Sequence, residues 1–138
     1  MSFFVYGDTQ FKDTQCLLEA LTDAGWTLEQ IEVHAVPTNL CGYQGDTRLD
    51  VANIIIRRQN VGFASNDIGF VKKEDGSYAA IVSEYDRGTK YGEKWLNTLK
   101  QNYATRVTER EARRKGMTVK KTKKEDGTIK LVLQRAGK

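Results

Sequence analysis

The five residues Lys72-Lys73-Glu74-Asp75-Gly76 occur a second time as Lys123-Lys124-Glu125-Asp126-Gly127. In both places an Asp-Gly pair separates two short segments in which apolar and polar residues alternate. Asp-Gly favours a tight hairpin, because both central residues of a type I′ turn adopt positive φ. The sequence therefore predicts two β-hairpins, each with a type I′ turn at its Asp-Gly pair.

Between the two hairpins, apolar residues recur every three or four positions, which is the period of an amphipathic helix. This apolar stripe consists of Tyr91, Trp95, Leu96, Leu99, Tyr103, Ala104 and Val107. The spacing predicts a helix over residues 89–115 that packs on a sheet and ends at Gly116. Beyond Val107 the segment is charged on all sides, so we expect its last turns to project into water.

The amino-terminal part of the chain predicts a short strand followed by a helix. The strand begins at Phe3 and ends at Gly7-Asp8. The helix is capped by Asp13 or Thr14 and stops at Gly25, where a left-handed conformation costs glycine little. One face of this helix is apolar and is formed by Cys16, Leu17, Leu18, Ala20, Leu21 and Ala24.

The middle of the chain predicts further strands. Residues 31–36 alternate, and Pro37 is expected to end that strand. Residues 38–49 are predicted to form a loop. Residues 51–58 contain the continuous triplet Ile54-Ile55-Ile56, which is typical of a central strand buried on both faces.

This order of elements, with short turns between neighbouring strands, predicts an α+β fold. We expect a two-layer sandwich of a mostly antiparallel sheet with two helices on one face. A chain of 138 residues suits a single domain over residues 1–138. Residues 109–138 form its charged helix end and basic hairpin.

The charge is distributed unevenly along the chain. Residues 1–108 carry 11 basic and 14 acidic side chains, whereas residues 109–138 carry 11 basic and 4 acidic ones. A basic end can bind an acidic partner such as nucleic acid, or can be a solvated surface.

No apolar run is long enough for a membrane span and the start lacks a signal-peptide pattern. With only two cysteines, this favours a cytoplasmic protein with free thiols.

The residues that commonly carry catalysis are sparse. His34 is the single histidine, and neither cysteine stands at metal-ligand spacing. Cys16 is predicted to be a core residue. Asp46, Asp50, Asp67 and Asp86 are treated as ordinary loop carboxylates, because their spacing does not favour acid–base chemistry. We predict no catalytic residue, no metal site and no cofactor.

Two sets of residues are candidates for binding. The first comprises Gly42, Tyr43, Gln44, Gly45 and Arg48, whose backbone amides and guanidinium could hold a small anionic, nucleotide-like ligand. The interpretation that the two glycines favour is a turn that requires positive φ at both of them. The second set could bind a nucleic-acid backbone and comprises Arg110, Arg113, Arg114, Lys115, Lys120, Lys121, Lys123 and Lys124.

Several phrases of the sequence are shared with a known family. They are Gly42-Tyr43-Gln44-Gly45, Asn66-Asp67-Ile68-Gly69-Phe70, Tyr85-Asp86, Trp95-Leu96, Gln101-Asn102-Tyr103-Ala104, Ala112-Arg113-Arg114-Lys115-Gly116-Met117 and Glu125-Asp126-Gly127-Thr128-Ile129-Lys130-Leu131. Over nearly its whole length the chain resembles an uncharacterised family, hypothetical chloroplast reading frame thirty-five, with relatives in cyanobacteria, red-algal plastids, other bacteria and phages. Many members begin Met-Ser-His, and Phe3 replaces that histidine here. The resemblance implies one domain of unknown function.

Taken together, these observations favour a non-enzymatic accessory or adaptor domain that binds a protein partner. The aromatic helix stripe and hairpin edges that could accept an added strand support this hypothesis. The alternatives are nucleic-acid binding through the basic end and capture of a small anion at residues 42–45. The absence of aromatic residues after Tyr103 weakens the nucleic-acid alternative, because bases commonly stack on aromatic rings.

Overall fold

The computed structural model describes residues 3–125 and 129–135. Two 3₁₀ turns, Leu28–Gln30 and Arg58–Asn60, accompany the strands and helices. In chain order the strands and helices are β1 (Phe4–Phe11), α1 (Thr14–Asp23), β2 (Ile31–Cys41), β3 (Thr47–Ile56), β4 (Ile68–Lys72), β5 (Tyr78–Ser83), α2 (Glu84–Arg87), α3 (Glu93–Arg114), β6 (Met117–Lys123) and β7 (Ile129–Arg135).

The first five strands form one sheet in the order β1-β5-β4-β3-β2, and all neighbouring strands are antiparallel. Strands β6 and β7 form a separate two-stranded sheet, which we call the ribbon. Helices α1 and α3 pack together on one face of the larger sheet. The predicted α+β class, with two helices on one face of an antiparallel sheet, is confirmed.

The first predicted hairpin is confirmed, but its turn is of a different type. Lys73 and Ser77 close the loop, with the Lys73 N–H donating to the Ser77 carbonyl at 2.7 Å and the Gly76 N–H donating to the Lys73 carbonyl at 3.0 Å. Gly76 has φ 86°, while no non-glycine residue in the described ranges has positive φ. The type I′ prediction is therefore wrong. The loop has three residues rather than the two of a type I′ turn, and only Gly76 lies in the left-handed region. Asp75 does not adopt positive φ, and its carboxylate accepts a hydrogen bond from the Ser77 N–H at 2.9 Å.

The second hairpin is also confirmed at the level of its strands. Met117 pairs with Arg135 and Lys123 pairs with Ile129, and the register between these pairs is unbroken. Asp126 and Gly127 lie outside the described residues, so the turn type predicted there stays a prediction.

The main core lies between the helices and the sheet. Phe70 on β4 pairs with Ile54 on one side and Ala80 on the other, and all three face the helices. Leu17 and Leu21 of α1 and Leu99 of α3 are buried against them. Burial of a Leu or Phe side chain contributes roughly 1.5–3 kcal/mol. This layer therefore fixes both helices on the sheet.

The opposite face of the sheet is covered by the β2–β3 hairpin itself. Leu40 of β2 and Ala52 of β3 pack on Gly69, where an added Cβ would lie 2.7 Å from the Ala52 Cβ. Glycine at this position thus allows the hairpin to approach the sheet closely. The hairpin reaches as far as β1, where Tyr6 donates a hydrogen bond to Asp50 at 2.7 Å.

Three predicted boundaries were wrong. Strand β2 does not end at Pro37, because β2 is an edge strand whose register shifts between Val33 and Thr38, and such a bulge tolerates proline. The predicted loop over residues 38–49 is consequently reduced to a short turn between β2 and β3. Strand β1 continues past Gly7-Asp8 to Phe11, again through a shift in register.

The long helix is shorter than predicted at its start and more fully packed at its end. It begins at Glu93, so Tyr91 precedes it, and it ends at Arg114 before Gly116 (φ 71°). Its last turns are exposed at Arg113 and Arg114 but do not project freely into water. They contact the ribbon, Ala112 is buried, and Arg110 forms an ion pair with Asp13 at 2.7 Å.

Candidate functional site

The ribbon is the part of the described structure with the least protein around it. It packs on α3, and β6 and β7 pair only with each other in the described ranges. Both outer edges therefore present backbone N–H and C=O groups that no neighbouring strand satisfies. Such edges are the surfaces on which extended peptides add as a further strand.

The two faces of the ribbon differ in chemistry. Directly paired residues share a face, so Val119 with Leu133 and Lys121 with Leu131 lie on one side. Lys121 on this side contacts α3 through Glu109 at 3.1 Å. Leu133 nevertheless remains 51% exposed. The residues on the opposite side all fall in the exposed class, and they are Thr118, Lys120, Thr122, Lys130, Val132 and Gln134.

Three of the eight basic residues predicted to bind nucleic acid form ion pairs within the chain. Two of these are the Arg110–Asp13 and Lys121–Glu109 pairs described above. In the third, a guanidinium nitrogen of Arg114 lies 3.2 Å from a carboxylate oxygen of Glu111. The hydrogen bond to Asp13 raises the pKa of Arg110. The other five form no ion pair in the described ranges and lie exposed on the ribbon and at the end of α3: Arg113, Lys115, Lys120, Lys123 and Lys124.

Most backbone amides of the turn at residues 42–45 already donate hydrogen bonds to other groups of the protein. The Gly42 N–H donates to the Asp46 carbonyl at 2.8 Å and the Gly45 N–H to the Gly42 carbonyl at 2.9 Å. The Tyr43 N–H donates to the Asn66 side-chain oxygen at 2.9 Å. Gly45 has φ 81°, so glycine is required by the turn. Three of the amides that could hold an anion are thus already bonded.

Arg48 lies close to this turn, as the sequence predicted, but it also has partners. Its guanidinium carbon is 5.2 Å from the centre of the Phe4 ring, and its Nε is 3.9 Å from an Asp46 carboxylate oxygen. The Asp46 carboxylate also lies against Gly42, where it would contact an added Cβ. Anion binding at this turn stays a prediction, and a carboxylate there opposes it.

The structure separates the four carboxylates that the sequence assigned to loops, and that assignment is wrong for Asp50, which lies on β3, and for Asp86, which lies in α2. Asp67 is fully buried, and one carboxylate oxygen accepts from the Cys41 N–H at 2.7 Å and from Arg57 at 2.8 Å. The other oxygen accepts from the Arg58 N–H at 2.7 Å. Asp67 therefore joins three segments that are distant in sequence. No local pattern indicates this role, because its partners lie on β2 and after β3.

Asp86 is the second fully buried carboxylate. One of its oxygens accepts from the Ser83 hydroxyl at 2.7 Å and from the Asn66 N–H at 3.0 Å. Ser83 in turn accepts from the Asp86 N–H at 3.1 Å as the N-cap of α2. Because Asn66 also holds the Tyr43 amide, Asp86 positions the turn at residues 42–45 through one intermediate residue.

Glu32 is linked to Asp67 through their common partner Arg57, and its side chain is more exposed than that of Asp67. Arg57 donates to both Glu32 carboxylate oxygens, at 2.9 and 3.0 Å, and His34 Nε2 lies 2.8 Å from one of them. The hydrogen bonds from Arg57 are the main reason that the pKa of Glu32 lies below its ordinary value of 4.5. The same pairing raises the pKa of Arg57.

We expect Glu32→Gln to destabilise the protein in a pH-dependent manner. A lowered pKa in the folded state means that ionised Glu32 contributes stability above its ordinary pKa, and that this stability is lost as the pH falls through the folded value. In denaturant titrations, the difference between the wild type and the variant should be largest near neutral pH and shrink in acid. The exposed Glu29→Gln is the matched control. A difference that stays constant from neutral to strongly acidic pH would contradict this interpretation.

The described residues contain two free thiols, Cys16 and Cys41. Cys16 is buried, as predicted for a core cysteine, and burial raises its pKa. No group of three or more potential metal ligands occurs among the residues that the structure describes. No helix in those ranges is both long and apolar enough to cross a membrane.

Comparison with known proteins identifies a family without identifying a function. Residues 17–132 match the family described as "Protein of unknown function (DUF1257)". Since this match covers most of the chain, the protein belongs to that family, and the predicted membership of an uncharacterised family is confirmed. No curated protein and no solved structure matches the chain.

Proposed function

We propose that this protein is a non-enzymatic adaptor that binds an acidic, extended segment of a partner protein along the ribbon. The observation that carries the proposal is a two-stranded ribbon with two free edges and half-exposed apolar side chains. An isolated two-stranded hairpin is only marginally stable in water, whereas a third strand adds both hydrogen bonds and apolar cover. In this proposal the partner segment supplies that third strand.

The edge of β7 is the better of the two edges for this purpose. Leu133 is 51% exposed and Val132 is 38% exposed. An added strand would place its own side chains about 5 Å from these residues on each face. Apolar side chains of the partner would therefore be shielded from water together with Leu133 and Val132.

The charge of the ribbon determines the kind of segment that suits it. Residues 117–125 and 129–135 carry six basic side chains and one acidic one. Two copies of the ribbon would bring like charges together, which disfavours pairing. An acidic segment with alternating apolar residues complements both the lysines and the apolar side chains, so a second copy of this chain is not the proposed occupant.

Nucleic acid is the competing partner, and the positive charge is what favours it. Against it, Arg110, Arg114 and Lys121 are engaged by carboxylates within the chain. The exposed side chains of Leu133 and Val132 also gain no favourable contact from a charged phosphate backbone. We therefore treat nucleic-acid binding as an outcome that would overturn the adaptor proposal.

The proposal is tested with a capped peptide of alternating Glu and Val residues, titrated calorimetrically into the full-length protein. We expect a Kd of about 10–100 μM. Lys120→Glu combined with Lys130→Glu should weaken binding about tenfold or more, because two favourable charge contacts become repulsive. Lys94→Glu, an exposed change on α3, should leave it unaltered.

Two further arms distinguish strand addition from simple charge attraction and from nucleic-acid binding. The same peptide methylated at every backbone nitrogen cannot donate the ladder hydrogen bonds in either register, so it should not bind. No binding by the Glu-Val peptide would overturn the proposal. So would micromolar binding of duplex DNA at physiological salt with a log–log salt slope near −4, corresponding to about four phosphate contacts.

A further inference from the structure

A cleft of about 330 Å³ lies at the end of α1 furthest from its N-cap. It is lined by Trp26, Tyr91 and Trp95 together with Gln30, Asn60 and Lys90. Clefts of this size are at the lower end of the range that binds small molecules. The cleft is formed by residues other than those of the ribbon and of the turn at residues 42–45.

Three aromatic rings form the apolar part of this cleft. Trp26 and Tyr91 lie nearly parallel, with ring centres 6.0 Å apart. The Trp95 ring stands almost perpendicular to both, at 5.9 Å from Trp26 and 5.2 Å from Tyr91. The rings thus make a corner, and Trp95 is the least buried of the three. A flat apolar group can stack in such a corner.

The rings are held in place by hydrogen bonds at their polar ends. The Trp26 indole N–H donates to the Asn60 carbonyl at 2.8 Å, and the Tyr91 hydroxyl donates to the Val61 carbonyl at 3.0 Å. Since these polar groups are engaged, the two rings offer a ligand only apolar surface. Their orientation does not need to change when a ligand binds.

The polar part of the cleft consists of hydrogen-bond donors. Gln30 donates to the Asn60 side-chain oxygen at 3.2 Å, and this leaves the Asn60 amide nitrogen without an acceptor in the described ranges. Lys90 is exposed, forms no ion pair in those ranges, and lies 6.0 Å from the centre of the Tyr91 ring. Among the residues that the structure describes, no acidic side chain lines the cleft. Two acidic residues directly precede lining residues in sequence: Asp23, whose carboxylate is bound by Arg106 at 2.6 Å, and Glu29, which is exposed and is not part of the lining.

From this arrangement we infer that the cleft binds a small anion that carries a flat aromatic ring. The ring lies against Trp95, and the anionic group accepts hydrogen bonds from Lys90 and Asn60. A nucleoside monophosphate has this chemistry, because it combines a planar base with a phosphate group. This site is independent of the ribbon and of the partner proposed for it.

The chain offers a direct readout for this inference, because Trp26 and Trp95 are its two tryptophans and both line the cleft. Titration with adenosine 5′-monophosphate should change the tryptophan emission in a saturable manner, with a Kd below about 1 mM. Adenosine lacks the phosphate and inorganic phosphate lacks the ring, so each should bind about tenfold more weakly or not at all.

Variants assign the effect to the cleft. Lys90→Gln removes the charge from an exposed side chain and should weaken binding of the monophosphate to the level of adenosine, without changing binding of adenosine itself. Lys94→Gln is the matched control and should bind like the wild type. In a ¹⁵N spectrum the Trp95 indole signal should shift on binding. The inference is overturned if emission and both indole signals are unaffected by the monophosphate, or if Lys90→Gln binds it as tightly as the wild type.

Discussion

Asp67→Ala is expected to lower the free energy of unfolding by about 3–5 kcal/mol, the range observed when one partner of a buried ion pair is removed. The Asp67 side chain is fully buried and accepts hydrogen bonds from Arg57 and from the Cys41 and Arg58 amides. The variant removes the acceptor of two backbone amides and of one Arg57 nitrogen, while Arg57 keeps its two hydrogen bonds to Glu32. Urea denaturation followed by circular dichroism measures the loss.

Asp50→Ala provides the comparison for Asp67. Asp50 lies on β3 of the same hairpin, but in the described ranges its carboxylate accepts a hydrogen bond only from the exposed Tyr6 hydroxyl, at 2.7 Å. Loss of one exposed hydrogen bond should cost about 1 kcal/mol or less. If the two variants were equally stable, the network around Asp67 would not be what holds the hairpin on the sheet.

Phe11→Ala is expected to destabilise the protein by about 3–5 kcal/mol, as is typical of a large aromatic residue removed from a core. Phe11 is 1% exposed and lies where β1, the sheet and α3 meet. Its ring centre is 6.1 Å from that of Phe70 and 5.0 Å from that of Tyr103, both in edge-on geometry. Removal of the Phe11 ring leaves a cavity at this junction, so we expect α3 to pack less tightly against the sheet in the variant.

The matched control is Phe63→Ala, because Phe63 is fully exposed. The free energy of unfolding of Phe63→Ala should differ from that of the wild type by no more than about 0.5 kcal/mol. Both variants are measured by urea denaturation at the same pH. A loss below about 1 kcal/mol for Phe11→Ala would show that the surrounding side chains collapse into the space, and that Phe11 is not a central core residue.

The features that could be predicted from sequence are those set by local chemistry. The three-to-four spacing around Leu99 identified α3, and the apolar positions around Leu17 identified α1. Gly25 and Gly116 marked the helix ends because both adopt positive φ. The triplet Ile54-Ile55-Ile56 indicated a strand covered on both faces, and all three residues are buried.

The features that were missed depend on contacts between distant parts of the chain. Pro37 signals a strand end locally, yet an edge strand with a shifted register accommodates it. Asp67 and Asp46 look alike in sequence, and only the approach of Arg57 and the Cys41 amide makes one of them a buried anchor. The charged end of α3 resembled a solvated surface because Asp13 is remote in sequence, and because the spacing of residues does not show that the ribbon folds back onto the helix.

The position of β1 has a consequence for how the chain folds. Phe4 pairs with Ser83, so the first strand finds its partner only after more than half of the chain has been made. Contacts at such separation in sequence slow folding, because a long loop must close before they form. During synthesis the emerging β1 has no strand to pair with, and we expect the β2–β3 and β4–β5 hairpins to form first. Strand β1 is therefore the last part of the sheet to be secured, even though it is synthesised before the other four strands.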